Sequence, residues 1–91
     1  MRPTQAQDKA FDAIIPYVNS ANIGYGATMK DGNYIIKRRK NSRSYFINIR
    51  PDGTVFYTAF KNDVKTAERE IGTDGAHCAR YFLEPDDAGT K

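Results

Sequence analysis

Apolar residues near the start of the chain recur every three or four positions, a spacing that predicts one apolar stripe on a helix. They are Phe11, Ile14, Ile15 and Val18. Thr4 followed by Gln7 matches a capping box, in which the hydroxyl and the amide satisfy free backbone N–H groups of the first turn. Pro16 lacks an N–H and its ring clashes with the preceding turn, so we expect the helix to kink there or to end near Ile15.

The middle of the chain alternates short apolar runs with turn signals, which predicts an antiparallel meander. The turns are expected at 30–33, 41–43 and 51–53, and residues 19–26 are expected to form either the exit loop of the helix or an irregular first strand. In the turn at 51–53, proline presets the first central torsion and Gly53 suits a left-handed position. The resulting bulged hairpin places Arg50 opposite Thr54.

The last third of the chain returns to helical signals. A helix is predicted over 64–71, with a cap at 62–63 and Gly72 at its left-handed end. A second short helix is predicted to follow a cap at Thr73 or Asp74, to run to Leu83, and to end before Pro85.

These elements predict an α+β fold with an N-terminal helix, a three- to four-stranded antiparallel meander, and one or two short C-terminal helices. The chain has 91 residues, the size of one domain. We expect a single compact domain over residues 1–85 and a loose tail over 86–91. No apolar run approaches the ~18 residues of a membrane span and no signal peptide is visible, so a cytoplasmic protein without a membrane partner is expected.

Alternation of side chains along the central strands separates two faces of the predicted sheet. One face is apolar and suits the helix stripe: Tyr45, Ile47, Ile49, Val55, Tyr57 and Ala59. The other collects Phe46, Asn48, Arg50, Phe56, Thr58 and Phe60. A two-residue turn after Lys40 would add Lys37 and Arg39 to this second face. Cations interleaved with rings on an open sheet are typical of single-strand binders, with ~1–3 kcal/mol per stacked base. Alternatively, the phenylalanines lie beneath the C-terminal helices.

Basic residues are concentrated in the middle of the chain. The whole chain has a net charge of +3. Residues 30–61 contain eight cations and two acids, a net charge of +6, whereas residues 62–91 contain four cations and seven acids, a net charge of −3. From Lys37 to Arg50 there are six cations and no acid. This pattern indicates an anionic partner, although cations also protect strand edges against aggregation.

The sequence offers little for catalysis. The single histidine and the single cysteine, His77 and Cys78, are neighbours in a predicted helix, where their side chains diverge by about 100° and cannot form a nucleophile–base pair. Cys78 is predicted to be a small buried residue and His77 to lie at the surface. Gly24 and Gly26 begin a dinucleotide-binding pattern, but Met29 stands in place of its third glycine. We therefore expect no enzyme, no catalytic residue, no metal and no cofactor.

Two functional hypotheses follow. In the first, a small binding protein uses a basic β-hairpin to contact nucleic acid or a nucleoprotein. The phosphate-binding candidates are Lys37, Arg38, Arg39, Lys40, Arg43 and Arg50, and the stacking candidates are Phe46 and Tyr45. In the second, the protein is a phage-type inhibitor of the anti-CRISPR or anti-restriction class. It blocks a host defence or nucleic-acid-processing complex by protein–protein contact, in which the basic hairpin binds an acidic surface. The basic middle and acidic end also permit a homodimer.

Overall fold

The computed structural model describes residues 2–83, which form one five-stranded sheet and two helices. In chain order these are α1 (Gln5–Ser20), β1 (Gly26–Lys30), β2 (Asn33–Lys40), β3 (Arg43–Ile49), β4 (Val55–Lys61), β5 (Val64–Glu70) and α2 (Gly75–Leu83). Each strand pairs antiparallel with its neighbour in sequence, giving the order β1-β2-β3-β4-β5. The predicted α+β fold is confirmed. The predictions for Pro85 and for the tail at 86–91 lie outside the described residues.

Residues 64–70 form the edge strand β5, so the prediction of a helix over 64–71 is wrong and the meander has five strands. Asn62 and Asp63 take positive φ angles of 52° and 68°, as in the two-residue turn of a β-hairpin. The turn sends the chain back along β4, where Ala67 pairs with Ala59. A tight left-handed turn matches the twist of a hairpin and cannot start a helix. The geometry of the turn therefore makes this short polar segment a strand.

The helix α1 continues through Pro16 to Ser20, so the expected end near Ile15 is also wrong. Proline removes one backbone hydrogen bond from a helix interior. Ile14 and Val18, on either side of Pro16, are fully buried against the sheet. Burial of this stripe holds the helix together across the proline, whose own ring faces solvent.

The predicted capping box is confirmed, and Gln7 extends it into the core. Gln7 Oε1 accepts a hydrogen bond from the backbone N–H of Thr4 at 2.8 Å, and Thr4 Oγ1 accepts one from the N–H of Gln7 at 3.1 Å. Gln7 Nε2 donates to the carbonyls of Gly32 at 2.8 Å and Ile49 at 2.9 Å. The fully buried amide therefore ties the start of α1 to the β1–β2 turn and to the end of β3.

The core lies between the two helices and one face of the sheet. The helices contribute Ala10, Ile14, Val18, Cys78, Ala79 and Phe82, and the sheet contributes Ile36, Tyr45, Ile47, Ile49, Val55, Tyr57 and Ala59. The apolar face predicted from alternation is buried in full. The helix α2 packs on this same face, where Tyr81 lies 5.1 Å from Tyr57 between ring centroids. The alternative in which the C-terminal helix covers the phenylalanines is therefore wrong for α2.

The two helices touch each other where α2 begins. A Cβ atom on Gly75 would collide with the backbone carbonyl of Ala13 in α1, so only glycine permits this approach. Asp74 caps α2 as predicted, since its Oδ1 accepts hydrogen bonds from the N–H groups of Ala76 at 3.1 Å and His77 at 3.4 Å. None of the helices in residues 2–83 is long and apolar enough to cross a membrane.

Candidate nucleic-acid interface

Two loops set which side chains lie on each face of the sheet. The loop at 41–42 has two residues and places Lys40 opposite Arg43. The loop at 51–53 has three residues, with Gly53 at a φ of 91°, and the N–H of Arg50 bonds the carbonyl of Thr54 at 2.8 Å. Both registers agree with the predicted ones. Consequently Lys37 lies opposite Phe46 on the face away from the helices.

We call this second face the outer face. On β2 to β5 and the loop after β3, its residues are Ile35, Lys37, Arg39, Ser44, Phe46, Asn48, Arg50, Phe56, Thr58, Phe60, Lys65, Glu68 and Glu70. The three phenylalanines are half-buried, and neither α1 nor α2 covers them. The rings of Phe46 and Phe60 meet edge to face, with 5.7 Å between centroids. The outer face is therefore an aromatic surface that the described helices leave open.

Cations lie directly over two of these rings. Lys37 Nζ is 5.8 Å from the centroid of Phe46, and Arg50 Cζ is 4.2 Å from that of Phe56. Both basic side chains are exposed, so each can contact an anion while remaining close to its ring. Among the three phenylalanines of the outer face, Phe60 has no cation of the described residues above its ring.

Further cations gather at one end of the sheet. We call this the basic end, formed by Arg39, Lys40, Arg43 and Lys61. It includes the turns at 41–42 and 62–63, which lie side by side because the N–H of Asn62 donates to the carbonyl of Ser42 at 2.9 Å. Arg43 lies between Lys40 on one neighbouring strand and Lys61 on the other. By alternation Lys40, Arg43 and Lys61 belong to the helix-side rows of their strands, so positive potential from three strands adds up at the end of the sheet, beside the outer face.

The opposite side of the outer face is acidic. Glu68 and Glu70 lie on the edge strand β5, opposite Thr58 and Phe56. Lys65 Nζ contacts Glu68 Oε1 at 2.8 Å, and this hydrogen bond and charge lower the pKa of the Glu68 carboxyl. The charge of the outer face is consequently uneven: β2 contributes the cations Lys37 and Arg39, whereas β5 contributes two carboxylates, one of them paired with Lys65.

Two of the candidate residues belong to neither the outer face nor the basic end. Arg38 alternates with its neighbours and points to the helix side, where its Nη1 donates to the carbonyl of Phe82 at 2.6 Å. A guanidinium there complements the carbonyl end of α2. Tyr45 is only 3% exposed and belongs to the core, so its ring is not accessible for stacking. Lys37, Arg39, Lys40, Arg43, Arg50 and Phe46 remain at the outer face or the basic end.

Sequence reasoning missed Lys61 as a member of the basic end. The Asn62-Asp63 pair carried the necessary signal, since two such residues favour a two-residue hairpin turn. Recognition of that hairpin would have placed Lys61 beside Arg43. Arg38 was predicted to bind phosphate because it belongs to the run of cations, although alternation adds only Lys37 and Arg39 to the second face.

The burial of Cys78 and the exposure of His77 agree with the predictions made from the sequence. Cys78 is fully buried, and burial together with the nearby Asp74 charge raises the pKa of its thiol to about 11. His77 is exposed and meets Tyr81 edge to face. Within residues 2–83, no three His, Cys, Asp or Glu side chains gather closely enough to hold a metal ion.

Comparison with protein-family models, with curated proteins and with solved structures returned no match to this chain.

Proposed function

We propose that this protein is a non-enzymatic module that binds nucleic acid with the outer face and the basic end of its sheet. The observation that carries the proposal is an aromatic sheet face left open by both described helices and bordered by cations. Contiguous exposed apolar surface is costly in water and commonly marks an interaction site. Cations beside rings give such a site both charge and stacking surface for a polyanion.

The distribution of charge supports phosphate as the bound group. Lys37 and Arg39 project from alternate positions of β2, about 6.5–7 Å apart along the strand. Lys40 and Lys61 continue the positive surface around the basic end, and both are exposed. A nucleic-acid backbone along β2 would meet these cations and stay away from the carboxylates of β5.

Charge reversal of the outer face tests the proposal. We expect Lys37→Glu/Arg39→Glu to weaken binding of a labelled oligonucleotide and to flatten the dependence of log affinity on log salt. Each lost phosphate contact should reduce the slope by about 0.7 on a single strand and about 0.9 on a duplex. Fluorescence anisotropy titrations at several salt concentrations would measure both quantities. Arg38 stays unchanged because it bonds to α2.

The matched control is Lys9→Glu/Arg80→Glu, which alters the net charge equally. Both control residues are exposed on the helices. The proposal requires the control to bind much more tightly than the outer-face variant. Equal weakening would show that binding follows net charge alone, and absence of binding at low salt would refute nucleic-acid binding. In that event, a protein that is captured from nuclease-treated lysate and released by Lys37→Glu/Arg39→Glu would support the inhibitor hypothesis instead.

A further inference from the structure

Two uncharged polar side chains lie in the middle of the outer face, among its aromatic rings. Asn48 pairs across the sheet with Ile35 and Phe56, and Thr58 pairs with Phe46. Asn48 Nδ2 donates a hydrogen bond to Thr58 Oγ1 at 3.2 Å. This contact fixes the Asn48 amide on the floor of the aromatic surface.

The Asn48 amide retains hydrogen-bonding capacity after this contact. A primary amide has two N–H donors and one carbonyl acceptor, and Thr58 engages one of the donors. No further hydrogen bond of the Asn48 side chain is recorded within residues 2–83. Yet every buried side-chain nitrogen and oxygen of the described residues has a partner. The carbonyl oxygen of Asn48 is therefore open to solvent, and the second N–H remains uncommitted.

Packing alone does not explain an asparagine at this position. Strands favour β-branched and aromatic residues and are depleted in asparagine. The neighbours of Asn48 along β3 are Ile47 and Ile49, as strand propensity predicts. A polar group that reaches solvent among apolar rings gives a surface both the apolar contact and the hydrogen bonding that a recognition site combines.

We infer that the outer face binds a single strand whose bases stack on Phe60 and Phe46, and that the Asn48 amide reads the edge of one base. The inference rests on the proposed nucleic-acid function. An amide presents a coplanar donor and acceptor, which matches the paired groups along a base edge. Stacking requires exposed base faces, which a single strand offers and a duplex does not.

The polarity of the outer face orients this strand. Phosphates lie over β2 near Lys37 and Arg39, because β5 offers only Lys65, already paired with Glu68, and the further carboxylate of Glu70. Bases then extend from β2 towards β4, across the Asn48–Thr58 pair. Phe60 is the first stacking position, since no cation of residues 2–83 lies above its ring, and the neighbouring Phe46 is the second, because the flexible Lys37 side chain at 5.8 Å can move aside for a base.

Phe60→Leu tests stacking while retaining apolar volume in the sheet. We expect affinity for a labelled single-stranded oligonucleotide to fall by about 5- to 150-fold, the loss that corresponds to one stacked base. The salt slope should stay unchanged, because no phosphate contact is removed. The control is Phe11→Leu, whose ring stacks on Tyr34 at 4.6 Å away from the outer face.

Asn48→Ala tests base recognition. Wild-type affinities for oligo-dA, oligo-dC and oligo-dT of one length should differ. In Asn48→Ala the differences between these three affinities should become smaller, and the salt slope should not change. Asn19→Ala, the same substitution at an exposed position of α1 away from the outer face, is the matched control and should keep the differences between these affinities. Circular dichroism melting of each variant verifies that the fold is retained.

The outcomes separate this inference from the function on which it rests. If the wild type binds no oligonucleotide at low salt, both fail. If it binds with a salt slope but takes a duplex as tightly as a single strand, or if Phe60→Leu has no effect, phosphate binding stands and stacking is overturned. If the homopolymer affinities are equal in the wild type, or equally spread in Asn48→Ala, the reading role of Asn48 is overturned.

Discussion

At the scale of single residues, neighbours of one chemical type have different roles on this sheet. Lys37 and Arg39 lie on the outer face, whereas Arg38 between them bonds to the end of α2. The reason is the two-residue period of a strand, which turns each successive side chain to the opposite face. A run of cations therefore does not make one patch, and its members must be assigned face by face.

Cys78 illustrates how burial decides the chemistry of a single side chain. Its thiol donates to the carbonyl of Gly72 at 3.3 Å, and its pKa is raised from 9.0 to about 11. Since the thiolate is the reactive form, we expect the folded protein to resist alkylation near neutral pH. Mass spectrometry of iodoacetamide adducts in native buffer and in urea would measure this protection. Rapid native labelling would contradict the assigned burial.

The same pKa shift predicts a dependence of stability on pH. A raised pKa in the folded state favours the protonated thiol there, so its contribution is fully present below pH 9 and is lost as pH rises from 9 to about 11. The loss should be on the order of 2–3 kcal/mol. Urea unfolding of wild type and Cys78→Ser over this pH range would isolate the contribution of the thiol to stability, because tyrosine ionisation is common to both proteins.

At the scale of elements, the turns determine which surface the protein presents. Asn62 and Asp63 convert the polar segment after β4 into a fifth strand. The loops at 41–42 and 51–53 set the registers on either side of β3. A change of one residue in either register would exchange the buried and exposed faces of the paired strand.

Gly53→Ala tests the register at the β3–β4 loop. Gly53 has a φ of 91°, and an added Cβ would lie 3.3 Å from the Cβ of Ala6 at the start of α1. We expect a loss of about 1 kcal/mol or more in the free energy of unfolding, from backbone strain and the close contact. Urea denaturation measures the change. Gly24→Ala, where no atom lies within 4 Å, is the control and should be close to neutral; equal stability of both variants would contradict the bulged hairpin.

At the scale of the whole molecule, both described helices lie on one side of the sheet. This arrangement buries the apolar face and leaves the outer face open. The net charge of +3 conceals the uneven charge of that face, which carries Lys37 and Arg39 on β2 and two glutamates with Lys65 on β5. Position of charge, more than its total, is therefore expected to govern the choice of partner.

Moving one charge across the molecule tests this expectation. The double variant Arg39→Asp/Asp12→Arg keeps the net charge but transfers positive charge from the basic end to the exposed surface of α1. We expect oligonucleotide affinity to fall as far as in Arg39→Asp alone, because Asp12 lies away from the outer face. Anisotropy titrations at one low salt concentration compare the three proteins. Recovery of wild-type affinity in the double variant would mean that only net charge matters.

The sequence by itself determined the local features of this protein. The capping box of Thr4 and Gln7, the cap at Asp74 and the left-handed Gly53 depend on nearest neighbours along the chain, and alternation correctly assigned the buried face. Tertiary structure alone decided which side α2 covers, because helices and sheet faces of similar apolarity can pair in more than one way. It also carried α1 through Pro16, since burial of the flanking side chains outweighs the local cost of proline. The outer face is left open by the described helices because both of them pack on the other, more apolar side of the sheet.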